Sequence, residues 1–542
     1  MRHRILVDIP DLSNAAAATA FSLGKPRIAL EWLEQGRGLV WNQLNNVRTP
    51  LEDLASFDSK LANDLSRISQ GLENTGLRDE SVTIGTDADI MVEKMALQDE
   101  ATASAKLAQE WDQLLQKIRN IPEFKNFLQP VRYCDLIACL PKAGPVVVIN
   151  IHEDRCDAVA LVTGTDDPLH IHLDQFSYKD AVHLLDLLHL DLSVHGGRMG
   201  EESDALELVN ETRAIMPFTF GNTMQMVLRE LWLGVVKPIL NALDISASSF
   251  FSFSEIYTYL GWSTQRPEPS SDLSRIWWCP TGPLAFLPIH AAGLYNEAHT
   301  DCILDYVISS YTPTVTFFME RKRASHTTEQ TNKVLVIGQP NAPGLPRLPG
   351  TKKELKAIQE KFSRENIPFL SLEGDPATID RTMKELESHS CIHLACHAVQ
   401  DPSHPLKSGF YLSDGRLELW KVLQIQNTVA DFAFLSACQT SMGEEGLSEE
   451  VIHLAAGLLT SGYRGVVATM WSIQDRYGLK VAEDFYTNLI DRRGRMTEGT
   501  VGLVGSVGAA HALHYAIRRL REELGDSPSA LLTWVPYIHM GV

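Results

Sequence analysis

No apolar run in this sequence approaches the ~18 residues that span a bilayer, and the opening MRHRILVDIPDLSN has too short an apolar part for a signal peptide. Positive charge is scarce as well. Lysine and arginine number 48 against 68 aspartates and glutamates, a net charge of −20, and no lysine-rich or arginine-rich block interrupts the deficit. A nucleic-acid surface needs a clustered basic footprint, so that class of function is set aside together with the membrane-bound one. The cysteines, at 134, 139, 156, 279, 302, 391, 396 and 438, are scattered, and several sit inside apolar strands. This is the pattern of reduced intracellular thiols rather than of a disulfide framework, and it predicts a cytoplasmic protein, with the nucleus as the alternative. Missing too are a G-x-S-x-G nucleophile elbow, a Walker phosphate loop and a G-x-G-x-x-G fingerprint. The glycine-rich stretch at 502–508, GLVGSVG, follows no strand and reads as a connection. No cofactor is expected.

What is present is an ordinary globular composition of 542 residues, 44% hydrophobic and 21% charged, enough for several domains with their own cores. Residues 1–130 read as helical. Ala15 to Leu23, Gly24 and then Pro26 to Leu44 give a helix, turn, helix pattern with small residues where the helices cross, similar to one tetratricopeptide unit. Thr49, Pro50 and Glu52 form a capping box starting a helix with Leu54, Phe57, Leu61, Leu65 and Ile68 on one face. Trp111, Leu114, Leu115 and Ile118 supply the partner stripe of an antiparallel hairpin, which reads as core packing, with recruitment of a regulatory protein as its second use. Residues 131–325 read as an α/β module with strands at Val146–Ile151, Ala158–Val162, His170–Leu173, Ile276–Cys279 and Val307–Tyr311. Its long apolar helix from Thr223 to Leu243 carries Pro238, which predicts a kink. His170 and His172 are spaced as a metal pair on a strand, but nothing nearby completes a site.

From 326 to 542 the βα alternation is regular and predicts a mainly parallel sheet with helices on both faces. Strands are expected at Val334–Ile337, Phe369–Leu372, Ile392–Cys396, Phe432–Ser436 and Gly465–Met470, with one helix capped by Thr351 and Glu354 and another near Ile379–Leu386. CIHLACH closes at His397 and DFAFLSACQT delivers Cys438, placing a base and a thiol at the ends of two parallel strands on one rim, where open α/β folds keep their sites. Period-two alternation sends Cys391, His393, Ala395 and His397 to one face and Ile392, Leu394 and Cys396 to the other. That separation argues against an H-x-x-C-H metal cluster. His393 reads as a hydrogen-bonded structural histidine and His397 as the residue free to act. Cys438 reads as a nucleophile if a helix start or a protonated His397 favours its thiolate, and as a buried strand cysteine otherwise.

The segments LACHAVQDPSHPLKSGFYLSDGRLEL, DFAFLSACQTSMGEEGLSEE and GYRGVVATMWSIQD resemble the CHAT family, caspase-like domains often found with tetratricopeptide arrays. The likeness runs from IWWCPTGPLAFLPIHAAG through VLVIGQPNAPGLPRLPGTKKE to LTWVPYIHMGV, over 270–542, and ALEWLEQGRGLVWNQL resembles the helical leader of fungal members. The resemblance implies a clan of cysteine endopeptidases that includes caspases and separase, with 131–325 as the non-catalytic half of a caspase-like unit and 326–542 as its catalytic domain. It implies that Cys438 attacks a peptide carbonyl, that His397 protonates the leaving amine, and that the backbone N–H groups of Cys438 and Ala398 hold the oxyanion. Caspase-type sites mostly carry glycine after the histidine, whereas Ala398 stands here. Asp475, Glu444, Glu445 and Trp471 are the selectivity candidates, and a buried carboxylate among them would direct cleavage after arginine or lysine. Residues 439–448 alone separate Cys438 from the next expected helix, too few for the cleavable linker that divides a caspase, so the helical leader or a partner is the expected regulator. The expected function is an intracellular endopeptidase acting on proteins or peptides. The alternatives are a catalytically silent interaction scaffold of the same fold, and an acyl or glutamyl transferase using the same cysteine and histidine.

Overall fold

The β-branched and aromatic runs that read as strands pair into one eleven-stranded sheet in the computed structural model. The structure describes residues 2–37, 54–55, 57–75, 106–125, 127, 129, 131–196, 222–246, 273–295, 300–324, 333–401, 405–425, 429–436, 454–473, 475–493 and 505–542. Its strands are β1 (Val146–Ile151), β2 (Cys156–Leu161), β3 (Leu169–His172), β4 (Arg275–Pro280), β5 (Gly293–Tyr295), β6 (Thr300–Cys302), β7 (Ile308–Tyr311), β8 (Val334–Gly338), β9 (Phe369–Glu373), β10 (Cys391–Ala395), β11 (Ala398–Val399), β12 (Gly409–Leu412), β13 (Gly415–Glu418), β14 (Phe432–Leu435), β15 (Gly465–Thr469) and β16 (Tyr537–Gly541). The large sheet has the order β3-β2-β1-β4-β7-β16-β15-β14-β10-β8-β9, while β11-β12-β13 and β5-β6 form small antiparallel sheets. Every residue of β1, β4, β8, β10, β14 and β15 is buried, as expected of parallel strands covered on both faces by helices.

Nine strands of the large sheet form two parallel blocks that run in opposite directions, and β2 and β3 extend the first by antiparallel pairing. β1, β4, β7 and β16 share one direction. β15, β14, β10, β8 and β9 share the other, and the halves meet where β16 pairs antiparallel with β15. The carboxyl ends of the second half therefore open on one rim, with β10 leading toward His397 and β14 toward position 438. Strands from 131–325 and from 326–542 thus belong to one sheet.

Two compact units make up the chain: Met1–Ile9 with Gly38–Arg132, and Pro10–Arg37 with Tyr133–Val542. In the first, Leu54, Leu65 and Ile68 share one core with Leu114, Leu115 and Ile118, joined by the partly buried Leu61 and Trp111. Phe57 is 57% exposed, touching that core only through an edge-on contact with Phe124. Asp58 caps the helix Ser59–Thr75 by accepting from the N–H groups of Lys60 and Leu61, while Thr49, Pro50 and Glu52 lie outside the described residues.

In the second unit residues 10–22 of the helix Arg2–Ser22 and the helix Pro26–Gly36 turn at Gly24, whose φ of 65° suits glycine. They cross so closely that a Cβ on Gly36 would stand 2.2 Å from Ser13 Cβ. The second helix is pinned to the sheet half of β1 and β4. Glu34 accepts from the N–H groups of Val315 and Thr316, and Arg37 donates to the carbonyls of Cys279 and Pro280. Where residues 133 onward rejoin this unit, Tyr133 N–H donates to Glu31 and Tyr133 O–H to the carbonyl of Asp166.

Two local expectations change in the structure. The helix around Pro238 is Thr223–Leu231, a single π turn at Trp232–Val236, and then Lys237–Ala242. The widened turn relieves the clash of the proline ring with the carbonyl four residues earlier, at Gly234, so the predicted kink is absorbed as a π turn. The helix expected to be capped by Thr351 and Glu354 instead begins at Pro349, with Leu348 at the N-cap and no side-chain cap. Proline's fixed φ suits the first helical position. It leaves Thr351 and Glu354 inside the helix, where both are buried.

His170 and His172 face a buried carboxylate rather than a metal. Asp157 takes the guanidinium of Arg155 in two bonds of 2.6 Å, with His170 Nε2 at 2.8 Å and His172 Nδ1 at 3.2 Å. Among the described residues no cluster of three or more metal-ligating groups assembles, and no helix is long and apolar enough to cross a membrane.

Candidate active site

His397 stands just past β10, where the chain leaves the large sheet and enters the small one. Its carbonyl accepts from Tyr411 N–H at 2.8 Å, so residues 397 and 411 form a hydrogen-bonded pair. Antiparallel ladders alternate, so the next pair, Ala398 with Phe410, is the non-bonded kind, and the N–H of Ala398 faces away from β12. β11 is the edge of its sheet, so that N–H belongs to no ladder. Ala398 is not among the described non-glycine residues of positive φ, which are Asp244 and Asn366. Its backbone is one any L-residue adopts, and glycine is not required to present this N–H.

Gly409 holds the hairpin that sets this geometry. A Cβ there would fall 2.2 Å from the carbonyl oxygen of Leu417 and 2.9 Å from Glu418 Cα. Gly409→Ala is expected to cost about 2 kcal/mol by forcing β12 and β13 apart, read as a lower thermal midpoint with the secondary structure of the large sheet retained.

The side chain of His397 is only 4% exposed. Its Nε2 lies 2.8 Å from the carbonyl of Pro346. A carbonyl only accepts, so the neutral ring carries its proton on Nε2 and leaves the Nδ1 lone pair available. That Nδ1 is buried and has no hydrogen-bond partner among the described residues. The loop bearing Pro346 is fastened at both ends, Gln339 N–H donating to the carbonyl of Ala395 and Leu348 N–H to that of Pro340, each at 2.9 Å.

His393 plays a different part. It is fully buried, stacked on Phe434, with Nδ1 3.1 Å from the hydroxyl of Tyr486 and Nε2 3.1 Å from Oε1 of Glu354. Glu354 comes from the helix Pro349–Arg364 and Tyr486 from the helix Asp475–Arg493, so one imidazole ties two helices to β10. Gly478 lets the same group approach the end of β14: a Cβ there would meet Ser436 Oγ at 3.3 Å and Glu354 Oε2 at 3.6 Å. Sequence reasoning identified His393 as structural but missed Glu354, Tyr486 and the Pro346 carbonyl. The proline-rich run GQPNAPGLPRLP after β8 is the visible trace of the last.

Four of the other thiols are poor nucleophiles. Burial pushes Cys156 up to about 11 and Cys279 and Cys302 up to about 12, and it raises Cys391 further, so all four stay protonated near neutrality. None of the seven described cysteines forms a disulfide. Cys438, Glu444 and Glu445 lie outside the described residues. Asp475 is the first residue of the helix Asp475–Arg493. Trp471 is buried, and its indole N–H donates to the carbonyl of Leu532 at 3.1 Å.

The family model described as the CHAT domain matches residues 225–542, more than half of the sequence. The chain belongs to the CHAT domain family. The match begins upstream of the 270 expected from motifs alone, and takes in the helices on either side of the π turn and all of β4 onward. The fold is a mainly parallel sheet flanked by helices, preceded by N-terminal helices. Among solved structures the chain is similar to Saccharomyces cerevisiae separase in its complex with securin, at 11% identity and a TM-score of 0.46, over 93% of this chain. It spans 40% of the length of that separase chain. It is also similar to the Arg-specific cysteine proteinase gingipain R, at 10% identity and a TM-score of 0.35, over 55% of this chain and 68% of that one. No curated protein matches.

Proposed function

We propose that this CHAT domain is a cysteine endopeptidase in which Cys438 and His397 form the catalytic dyad. The observation that carries the reading is a strand register. β10 and β14 pair in parallel with Cys391 opposite Phe432 and Leu394 opposite Leu435, a constant offset of 41 positions. The same offset counted from His397 falls on residue 438. The pairing ends at Leu394 and Leu435, so the register supports the reading that the two neighbouring strands, ~4.8 Å apart, end on one rim.

The chemistry follows from the groups already described. The thiol proton of Cys438 passes to Nδ1 of His397, since Nε2 is committed to Pro346. The thiolate attacks the scissile carbonyl, forming a C–S bond, and the oxyanion is received by the N–H groups of Ala398 and Cys438. The C–N bond breaks as the imidazolium returns its proton to the leaving amine. Water, deprotonated by the same Nδ1, then releases the acyl group. No cofactor takes part. We assign selectivity to the acidic positions Asp475, Glu444 and Glu445, with Trp471 as a fixed wall, and infer cleavage after arginine or lysine. The N-terminal helices are the regulatory surface, and the cytoplasm, or else the nucleus, is the site of action.

The test is a peptide library cleaved by the wild type beside Cys438→Ala, with an arginine-directed acyloxymethyl ketone as a covalent probe. Cleavage and labelling by the wild type alone support the peptidase. Identical traces for both proteins across basic and acidic libraries mean a non-catalytic scaffold, and cleavage after aspartate but not arginine removes the assigned selectivity.

A further inference from the structure

β16 is the strand on which the two parallel blocks of the large sheet meet, parallel to β7 on one side and antiparallel to β15 on the other. A buried histidine sits in that seam. His539 lies opposite Val467 of β15, and a Cβ on Gly465 would stand 3.2 Å from its Nε2, a tight approach that glycine permits. Arg275 of β4 reaches it across β7. The guanidinium bonds His539 Nδ1 at 3.1 Å, Ser310 Oγ at 2.9 Å and the carbonyl of Gly541 at 3.2 Å, and the Trp277 indole N–H donates to that same carbonyl. One buried network therefore ties β4, β7 and β16 together.

The network fits a neutral imidazole. A guanidinium has donors and no acceptor, so Nδ1 of His539 turns its lone pair to Arg275 and the ring proton is on Nε2, buried without a hydrogen-bond partner among the described residues. A second proton would have to enter at Nδ1, setting donor against donor and cation against cation at 3.1 Å within the core. The neighbouring groups give no relief. The helix Ala509–Leu524, packed on β7, β15 and β16, adds His511, His514 and Arg518, and the helix Asp475–Arg493 adds Arg492, with His290, Tyr311 and Tyr537 alongside. Acids are engaged elsewhere: Asp431 is held by Ser506 and Arg464, Asp484 by Arg519, and Glu483, Asp491, Glu522 and Glu523 are exposed. Burial, with Arg275 and His511, keeps His539 well below the usual histidine range, and burial holds His511 down at about 4 and His514 at about 3. Arg275, brought down by burial to about 9, is still a cation at neutral pH.

We propose that the β16 seam is an acid-sensitive latch, in which protonation of His539 breaks its bond to Arg275 and frees β16 and the helix Ala509–Leu524 from the β4 and β7 side of the sheet. Each of these histidines takes up a proton more readily unfolded than folded. Its neutral form therefore contributes stability that is complete above the ordinary histidine value of 6.5 and is lost as the pH falls below it. The unfolding constant then rises by up to about 10-fold per histidine per pH unit. This window lies above that of ordinary carboxylates, which titrate at about pH 4. The latch uses neither His397 nor Cys438 and stands whether or not the chain cleaves peptides.

Urea unfolding of the full chain from about pH 7.5 to about pH 5, wild type beside His539→Asn, tests the latch, because asparagine offers Arg275 an acceptor but takes up no proton in this range. The wild-type unfolding constant is expected to rise by about 100-fold or more across the range, and that of the variant by about 5-fold less or lower still. A wild-type constant that stays flat, or an equal rise in both proteins, overturns the proposal. Amide hydrogen exchange of the wild type at about pH 5.5, corrected for intrinsic rates, decides the matter even if the variant does not fold. β16 and residues 509–524 are expected to lose protection before β8 and β10, and the reverse order overturns the latch.

Discussion

His397→Ala lowers kcat/KM for a cleaved peptide by about 10³-fold, the middle of the range that a positioned general acid and base contributes. The ring is held at one nitrogen by the Pro346 carbonyl and presents the other, so alanine removes the proposed proton carrier while leaving the chain path set by the His397 carbonyl and Tyr411. The fold pays little, because a single hydrogen bond to Pro346 is worth about 1 kcal/mol. Steady-state kinetics beside a thermal melt separate the two effects. A loss below 10-fold with an unchanged melt would sink the assignment of His397 as the proton carrier. Cys438→Ala, by contrast, leaves no nucleophile and no acyl-enzyme to trap.

Glu354→Ala is expected to destabilise the protein by about 1–3 kcal/mol, since it removes the polar neighbour of a buried imidazole nitrogen. His393 would be left with only Tyr486, inside a core formed by Phe434, Phe485 and Tyr486. The pair itself need not be stabilising relative to apolar residues. Glu354→Leu combined with His393→Phe is therefore expected to recover most of the loss, since apolar groups of similar size then replace both members of the buried polar pair. Chemical denaturation of the single and double variants measures this. A Glu354→Ala variant as stable as the wild type would show that the 3.1 Å approach carries no energy.

The sequence made much of the candidate rim legible, for reasons that can be named residue by residue. The apolar runs before His397 and Cys438 could be recognised as buried strands because nothing else of that length fits parallel pairing, and the helix at Ile379–Leu386 falls where its pattern put it. The 41-residue spacing was visible, but only the pairing of Cys391 with Phe432 gives it meaning as a register. The Pro346 carbonyl was invisible because a main-chain acceptor has no residue identity. Thr351 and Glu354 imitated a capping box because that motif is local, whereas the real partner of Glu354 is His393, in another element. β12 and β13 escaped notice because they are four residues each and begin with glycines, Gly409 and Gly415. The reversal of one sheet half was equally hidden, since βα alternation reports order along the chain and not the direction in which the last strand, β16, is inserted.

Arg37 and Tyr133 carry a last implication. Both are fastened within the same compact unit, one to the carbonyls at the end of β4 and the other to Glu31 and Asp166, although residues 38–132 lie between them in the chain. Topologically the intervening segment is an insertion whose ends are already closed by the body it interrupts. Closing a longer insertion costs only about 0.6 kcal/mol for each doubling of its length. The sheet is thus thermodynamically almost indifferent to what is carried between those two anchors, which leaves that segment free to change in size and sequence at little cost to the domain that holds it.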